Sequence, residues 1–458
     1  MKNESIASSF ITFVSWLSNS LLWHFGFLIS PALAQVNGPG PSPSSSFDTV
    51  VNLPGDEDVI TGALLESVGG VPGQTTQLNV NDGGTVGNRF EANSDAEVNI
   101  SGGTVGSFSA FNGSEVNISG GTVSLGFDAF DGSQVNISGG IVSPFGRFDA
   151  EPGGEVNISG GAIGERFEAE VDSVVTISGG SFGPDFDVAV GSNVELIGGE
   201  FRLNGVDFSG STITLARNDI FTGTMADGSA FIFADDALDN ITNMNLTVVA
   251  LPTANLTPIA VNAPVVSGPL GLRAGQSLTL GAGGSLGINF ALIDAALNVE
   301  DGILGMYGEA TNSVVNISGG TVGDQFDAHA SAVNISGGIV GRDFEAFDGS
   351  EVNISGGTVG LSFDANSGSE VNISGGMVGV GADAFDGSVV NISGGTVGDF
   401  FDANSGSVVN VSGGVIGDSF IASSGSEVNF FGSEFQIDGS DLDTLLLGEA
   451  FTLSLIHI

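Results

Sequence analysis

The chain has 458 residues, with 74 glycines, 33 phenylalanines and no cysteine, and its 53 acidic against 8 basic side chains give a formal net charge of -45. Such a charge repels nucleic-acid phosphates and anionic lipid, and it favours cations, basic partners or simple solubility in a salty medium. The 41% apolar content opposes disorder, and the lack of cysteine excludes disulfides and thiolate metal sites.

The N-terminal segment is typical of an export signal. Lys2 precedes an apolar stretch from about Phe10 to Ile29, and a small-residue cleavage pattern ends at Ala34. An uncleaved membrane anchor is the alternative, although serines, an asparagine and a histidine interrupt the stretch. We expect cleavage, and hence a mature chain without a membrane span.

Composition shifts and repeats divide the whole chain into seven predicted parts. The predicted parts are a signal peptide (1–34), a Pro/Ser/Gly-rich linker (35–60), a first repeat block (61–200), a β-rich non-repeat segment (201–296), a second repeat block (297–433), a truncated copy of the non-repeat tail (434–452) and a sequencing-adapter translation (453–458). The copied tail is recognised because Glu434–Gly439 parallels Glu200–Gly205. We expect each tail to cover the open end of its block.

The two blocks consist of copies of one unit, approximately G-S-E-V-N-I-S-G-G-T-V-G-x-x-F-D-A-x-x, with its Gly-Gly pair recurring every 18 to 21 residues. Apolar and polar residues alternate in E-V-N-I-S and F-D-A, as in strands with one buried face. Gly-Gly predicts a turn. One unit cannot bury its own apolar face, so the fold expected is an all-β parallel β-solenoid, right-handed, with about 19 residues per rung.

Stacked rungs place equivalent residues about 4.8 Å apart. Valine, isoleucine and phenylalanine ladders are therefore expected inside, with a packing defect at Ala382, where alanine replaces phenylalanine. Asparagines such as Asn353 should form an amide ladder outside. The N-x-S glycosylation pattern at the same asparagines is the alternative interpretation.

Outward carboxylates share one repeat position and would repel along a column, which divalent cations would relieve. Weak Ca²⁺ sites are accordingly predicted at Asp128, Asp149, Asp187, Asp327, Asp364, Asp383 and Asp402. A solvated acidic face is the simpler explanation, and no cofactor other than Ca²⁺ is expected. A second acidic position is shared by Glu97, Glu115, Glu155, Glu351, Glu370 and Glu427.

Catalytic residues are not expected, since the carboxylates are repeated and no nucleophile–base pair is evident. His329 occupies a variable repeat position and is interpreted as a surface substitution. The repeated aromatic residues at A-F-D/N-G turns are interpreted as corner packing, the alternative being a sugar-binding platform. These are Phe111, Phe130, Phe347 and Phe385.

The period, the alternation and the glycine turns resemble filamentous-haemagglutinin-like and autotransporter adhesins, which are exported bacterial parallel β-helices. The resemblance implies a secreted or cell-surface, adhesive or matrix role, with extracellular matrix, polysaccharide or a cell surface as the partner. A calcium-responsive scaffold and a polysaccharide-binding or -cleaving β-helix are the alternative functions.

Overall fold

The computed structural model describes residues 49–53, 67–68, 75–234, 241–264, 271–432, 436–437 and 440–441. Over these residues the regular structure is entirely β, in parallel stacked rungs, which confirms the predicted solenoid. The predicted signal peptide, most of the linker and tail, and residues 453–458 lie outside the described ranges. The strand Thr49–Leu53 falls within the range 35–60 and pairs in parallel with Thr76–Val80 of the first block.

The first block has two parallel sheets. The longer sheet contains Thr49–Leu53, Thr76–Val80, Ala96–Val105, Glu115–Val123, Gln134–Val142, Glu155–Ile163, Val174–Phe182 and Asn193–Leu203, with Thr85–Val86 beside Ala96–Val105. The shorter sheet contains Ser67–Val68, Phe90–Ala92, Phe108–Ala110, Phe127–Ala129, Arg147–Ala150, Arg166–Ala169 and Asp185–Val188.

The second block repeats this plan. Its larger sheet contains Ile259–Val261, Ser277–Leu280, Ala296–Val299, Val314–Ile317, Ala332–Ile335, Glu351–Ile354, Glu370–Ile373, Val389–Val397, Val408–Ile416 and Glu427–Phe430, with Ser285–Leu286, Ile303–Leu304, Thr321–Val322, Ile339–Val340, Thr358–Val359 and Met377–Val378. The smaller sheet contains Gly271–Leu272, Ala291–Ile293, Glu309–Thr311, Asp327–His329, Glu345–Ala346, Asp364–Ala365, Asp383–Ala384, Asp402–Ala403 and Ile421–Ala422.

Rungs of this block begin near Ile259, before the sequence-based boundary at 297. The early strands Ser277–Leu280 and Ala296–Val299 pair in register with each other although their rungs lack the V-N-I-S-G-G signature. Alternation of apolar and polar residues is sufficient for a rung, because stacking buries every second side chain whatever its identity.

Equivalent residues of successive rungs pair directly, as predicted. Val116 pairs with Val135, and Phe108 with Phe127, at an interval of 19 residues. The buried rings of the first block follow one another at 4.8–5.3 Å between centroids from Phe90 to Phe186. Each such ring contributes roughly 1.5–3 kcal/mol of burial, so this ladder is a main source of stability.

The Gly-Gly pair is a bend that lets the chain pass close beneath the rung before it. The second glycine has positive φ, as at Gly121 (72°), and a Cβ on Gly120 would lie 2.4 Å from the carbonyl oxygen of Ser101. In most of the first block the strand continues through this bend with a shift of register, for example over Glu115–Val123. The predicted turn is thus a bulge inside one long strand there.

The tail after the first block covers its last rung. Asn193–Leu203 pairs antiparallel with Ile220–Met225 and with Val206–Asp207, and parallel with Met244–Val248. The remaining tail strands are Thr212–Ile213 and Ala230–Ala234, the latter placing Phe233 on Phe186 at 4.2 Å between ring centroids. The expected cover is therefore present on this block.

A short antiparallel hairpin follows the second block. Gln436–Ile437 pairs with Ser440–Asp441, in the same arrangement as Leu203 with Val206 after the first block. The parallel between the two tail sequences therefore extends to local structure.

Candidate functional site

The predicted outward carboxylates stand in two columns, one on each block. The first column runs in register through Glu91, Ser109, Asp128, Asp149, Glu168 and Asp187. The second runs in register through Glu309, Asp327, Glu345, Asp364, Asp383 and Asp402. The F-D-A strand holds each carboxylate between two buried residues, so the backbone itself fixes the spacing.

In the first column, arginines already neutralise part of the charge. Arg147 forms an ion pair with Asp149 and another with Glu168 at 2.7 Å, and Arg166 reaches Asp187 at 3.3 Å. Asp149 is only 6% exposed, and burial raises its pKa to about 7 although Arg147 opposes the shift. Burial also raises the pKa of Asp128.

Two carboxylates of this column and the adjacent Glu151 form the one group in the described residues with metal-binding spacing. Ligand oxygens of Asp128, Asp149 and Glu151 lie within 4.8 Å of one another. Hard cations such as Ca²⁺ take oxygen ligands of this kind. The guanidinium of Arg147 contacts the same Asp149, and it therefore competes with any cation for that carboxylate.

In the second column, neighbouring carboxylates repel one another at Asp364. Asp364 lies in register between Glu345 and Asp383, and its Oδ1 is buried without a hydrogen-bond partner. Burial, followed by repulsion from Glu345 and Asp383, raises its pKa to about 7. Burial and then Asp402 raise the pKa of Asp383, while a hydrogen bond from Asn404 lowers it.

The asparagines form continuous amide ladders, as predicted. In the first block the Nδ2 of Asn117 donates to the Oδ1 of Asn99 at 3.1 Å, and Asn136 donates to Asn117 at 3.0 Å. In the second block the chain of bonds continues to Asn429 at distances of 2.9–3.1 Å. These amides already donate to a neighbour, which favours the ladder over the glycosylation interpretation.

The interpretation of His329 as a surface residue is wrong. It is 5% exposed, because its imidazole stacks against the ring of Phe347 on the next rung at 4.4 Å and 11°. Burial lowers its pKa to about 4, so the ring is neutral at physiological pH.

The interpretation of the turn aromatics as corner packing holds for Phe111 and Phe130. Both rings are half-buried, and they stack with 4.9 Å between their centroids.

A contact between the two blocks was not anticipated from the sequence. Asn289 Nδ2 donates to the carbonyl oxygen of Ile163, and Arg202 forms an ion pair with Asp294. Tyr307 is 5% exposed, and it lines a small cavity together with Phe182 of the first block. Burial, then Glu165 and Asp324, raise the pKa of Tyr307 to about 12. Tyr307 is the only tyrosine of the chain, and this was the one signal that could have marked it.

No family model matches the chain, and no curated protein sequence matches it. Among solved structures, a crystal structure of a TibC-catalysed, hyper-glycosylated fragment of TibA is similar at 14% identity, covering 84% of this chain and 98% of that one. The TM-score is 0.26, too low for the likeness to carry a conclusion about this chain. Within the described ranges, no helix is long and apolar enough to cross a membrane.

Proposed function

We propose that the protein is a non-catalytic structural or adhesive repeat protein that acts outside the cell or on its surface. The observation that carries the proposal is the outward face of the longer sheets, where identical side chains recur on successive rungs. On it, the Asn ladder runs beside the exposed glutamates of E-V-N-I, such as Glu351 and Glu370.

A regular array of this kind favours many weak contacts over one strong one. Each contact at a rung is repeated about every 4.8 Å along the axis. Linked weak contacts gain affinity through effective concentration, without any single well-formed pocket. The glutamates make such a face selective for extended ligands that carry positive charge or hydrogen-bond donors.

Two observations support leaving catalysis out of the proposal. The carboxylates recur on rung after rung, as structural residues do. His329, the only histidine among the residues that the structure describes, is neutral and enclosed beneath Phe347. A general base has to reach the proton it removes.

Retention of protein-coated beads on defined surfaces tests the adhesive role. The full chain would be immobilised on beads and washed over chitosan, cellulose and collagen. The test variant replaces Glu351, Glu370 and Glu427 with glutamine, which removes the charge of the array on the second block and keeps its shape.

The matched control replaces the same number of exposed acids at the turns, namely Asp131, Asp348 and Asp386, with asparagine. We expect retention of the wild-type beads on at least one surface, a several-fold loss for the glutamate variant, and little change for the control. Equal loss in both variants, or no retention of the wild type on any of the three surfaces, contradicts an adhesive face.

A calcium-responsive scaffold is the second candidate, favoured by the close approach of Asp128, Asp149 and Glu151. Its test is thermal unfolding in millimolar Ca²⁺ against Mg²⁺ at matched ionic strength. A rise specific to Ca²⁺ that Asp128→Asn abolishes supports it. A response that follows ionic strength alone leaves the carboxylates as a solvated acidic face.

A further inference from the structure

A cleft of about 330 Å³ opens on the outward face of the longer sheet of the first block, where the repeat gives way to the tail. Three neighbouring strands form it, namely Val174–Phe182, Asn193–Leu203 and Met244–Val248. Its lining residues are Val174, Val175, Thr176, Asn193, Glu195 and Asn245. This volume lies at the lower end of the range for ligand sites, so the cleft has room for a small molecule or a single side chain.

The amide ladder of the first block ends at this cleft. In register, Asn157 is followed by Thr176 and then by Glu195, so the next two rungs lack the asparagine. Each amide of the ladder donates its Nδ2 to the rung before it, as Asn157 does to Asn136 at 3.1 Å. The Oδ1 of Asn157 is therefore the acceptor end of the ladder and faces Thr176. No side chain in the described part of the chain donates a hydrogen bond to it.

Glu195 adds a negative charge near this acceptor end. It is the only carboxylate of the amide column in the described rungs of the first block. The hydroxyl of Thr247 donates to its Oε1 at 2.5 Å, but no arginine of the described ranges forms an ion pair with it. Hydrogen bonds in a chain polarise one another, and a carboxylate favours charged donors. The ladder end and Glu195 therefore attract the same kind of group, a cationic hydrogen-bond donor.

The cleft also has an apolar wall. Val174 takes the repeat position that Glu155 occupies on the rung before, and it is 42% exposed. On the next rung, Asn193 takes this position and accepts a hydrogen bond from Asn245 at 3.3 Å. An aliphatic stem can pack on the valine while the charge at its end reaches Glu195, as the stems of lysine side chains do on apolar surfaces.

A metal ion fits these residues less well than an organic cation. Ca²⁺ takes about six to eight oxygen ligands, several of them from carboxylates. Glu195 is the only carboxylate that lines the cleft. An ammonium group instead needs three acceptors, and a carboxylate and an amide oxygen supply most of them.

We propose that the cleft binds a primary alkylammonium group, which takes the place of the amide missing at Thr176. The Cα atoms of Asn157 and Glu195 are two rungs apart, or about 9.6 Å, and the short side chain of Thr176 leaves the space between their oxygens open. The nitrogen lies in that space and the stem lies along Val174. Lysine side chains and free polyamines share this group. The site is independent of the proposed adhesive role, because it lies on the first block and a soluble amine detects it.

Ligand-observed NMR titration of the full chain with n-butylammonium tests the site, at about 150 mM NaCl to screen diffuse attraction to the acidic surface. We expect saturable binding of one equivalent, with a dissociation constant on the order of 1 mM. Tetramethylammonium has the same charge but no N–H donor and should not displace the amine. The absence of saturable binding, or equal displacement by tetramethylammonium, overturns the proposal.

Two variants and two matched controls locate the site. Thr176→Asn restores the asparagine of the repeat, so its amide should occupy the acceptor end without any change in net charge. We expect this variant and Glu195→Gln to bind n-butylammonium about tenfold more weakly or worse. Thr279→Asn makes the same change in the amide column of the second block, and Glu115→Gln removes a charge from the same face of the first block. Both controls should bind as the wild type does. Unchanged binding in either test variant, or equal losses in the controls, overturns the assigned cleft.

Competition distinguishes the two sources of the ammonium group. A blocked tripeptide with a central lysine represents a protein ligand, and spermidine represents a free polyamine. We expect at least one of them to displace n-butylammonium from the wild type, and the stronger competitor identifies the source. Failure of both to displace it contradicts the assigned ligand class.

Discussion

Asp364→Asn should stabilise the protein at neutral and alkaline pH. Asp364 lies between Glu345 and Asp383 in the second carboxylate column, with one oxygen buried and without a partner. Burial and these two carboxylates raise its pKa from 3.8 to about 7. The charged form is therefore disfavoured in the fold, and asparagine removes the charge at nearly constant shape.

The direction of the effect with pH follows from the raised pKa. The folded state binds the proton more tightly than the unfolded chain, so this stabilising contribution is complete below about pH 4 and is lost as the pH rises through 7. A shift of about three units corresponds to about 4 kcal/mol, and solvent screening at a half-buried site reduces this to roughly 2 kcal/mol.

Thermal and urea unfolding followed by circular dichroism at several pH values provides the measurement. We expect Asp364→Asn to gain about 2 kcal/mol over the wild type at pH 8 and to match it near pH 4. Asp386→Asn, at an exposed turn of the next rung, should show much less of this dependence. A variant that is less stable than the wild type at pH 8, or an equal gain in both variants, would refute the reasoning.

Three further predictions concern the repeat itself. Gly121→Ala should lower the free energy of unfolding measured in urea by about 1 kcal/mol or more, because φ is 72° and the added Cβ would lie 2.4 Å from a carbonyl oxygen. Ala382→Phe should raise the thermal midpoint by filling the interrupted ring ladder, whereas Ala384→Phe in the neighbouring alanine column should lower it through overpacking. In the wild type, the free energy of unfolding should fall as the pH drops from 6.5 to 4, because the low pKa of buried His329 makes its protonation favour the unfolded chain. His329→Phe should keep the stack on Phe347 and remove this loss, which urea titrations at pH 7 and 5 measure.

The gap at Ala382 shows how directly the repeat specifies the core. Among the described residues, ring contacts join Phe344 to Phe363 and Phe401 to Phe420, and none joins Phe363 to Phe401. The interruption was predicted because residues one period apart are neighbours in a solenoid. Every ladder, whether of rings, amides or carboxylates, follows from the same relation between sequence position and space.

The sequence by itself determined the rung length, the buried and outward residues, and the membership of the carboxylate columns. It did not reveal that Asp149 is enclosed or that His329 lies beneath Phe347, since side-chain packing between rungs decides those exposures. It also did not reveal that Tyr307 lines a small cavity together with Phe182 of the first block. Contacts within a block recur with the period and are local in sequence. The contact between blocks depends on the path of a non-repeating segment, and only the tertiary structure decides that path.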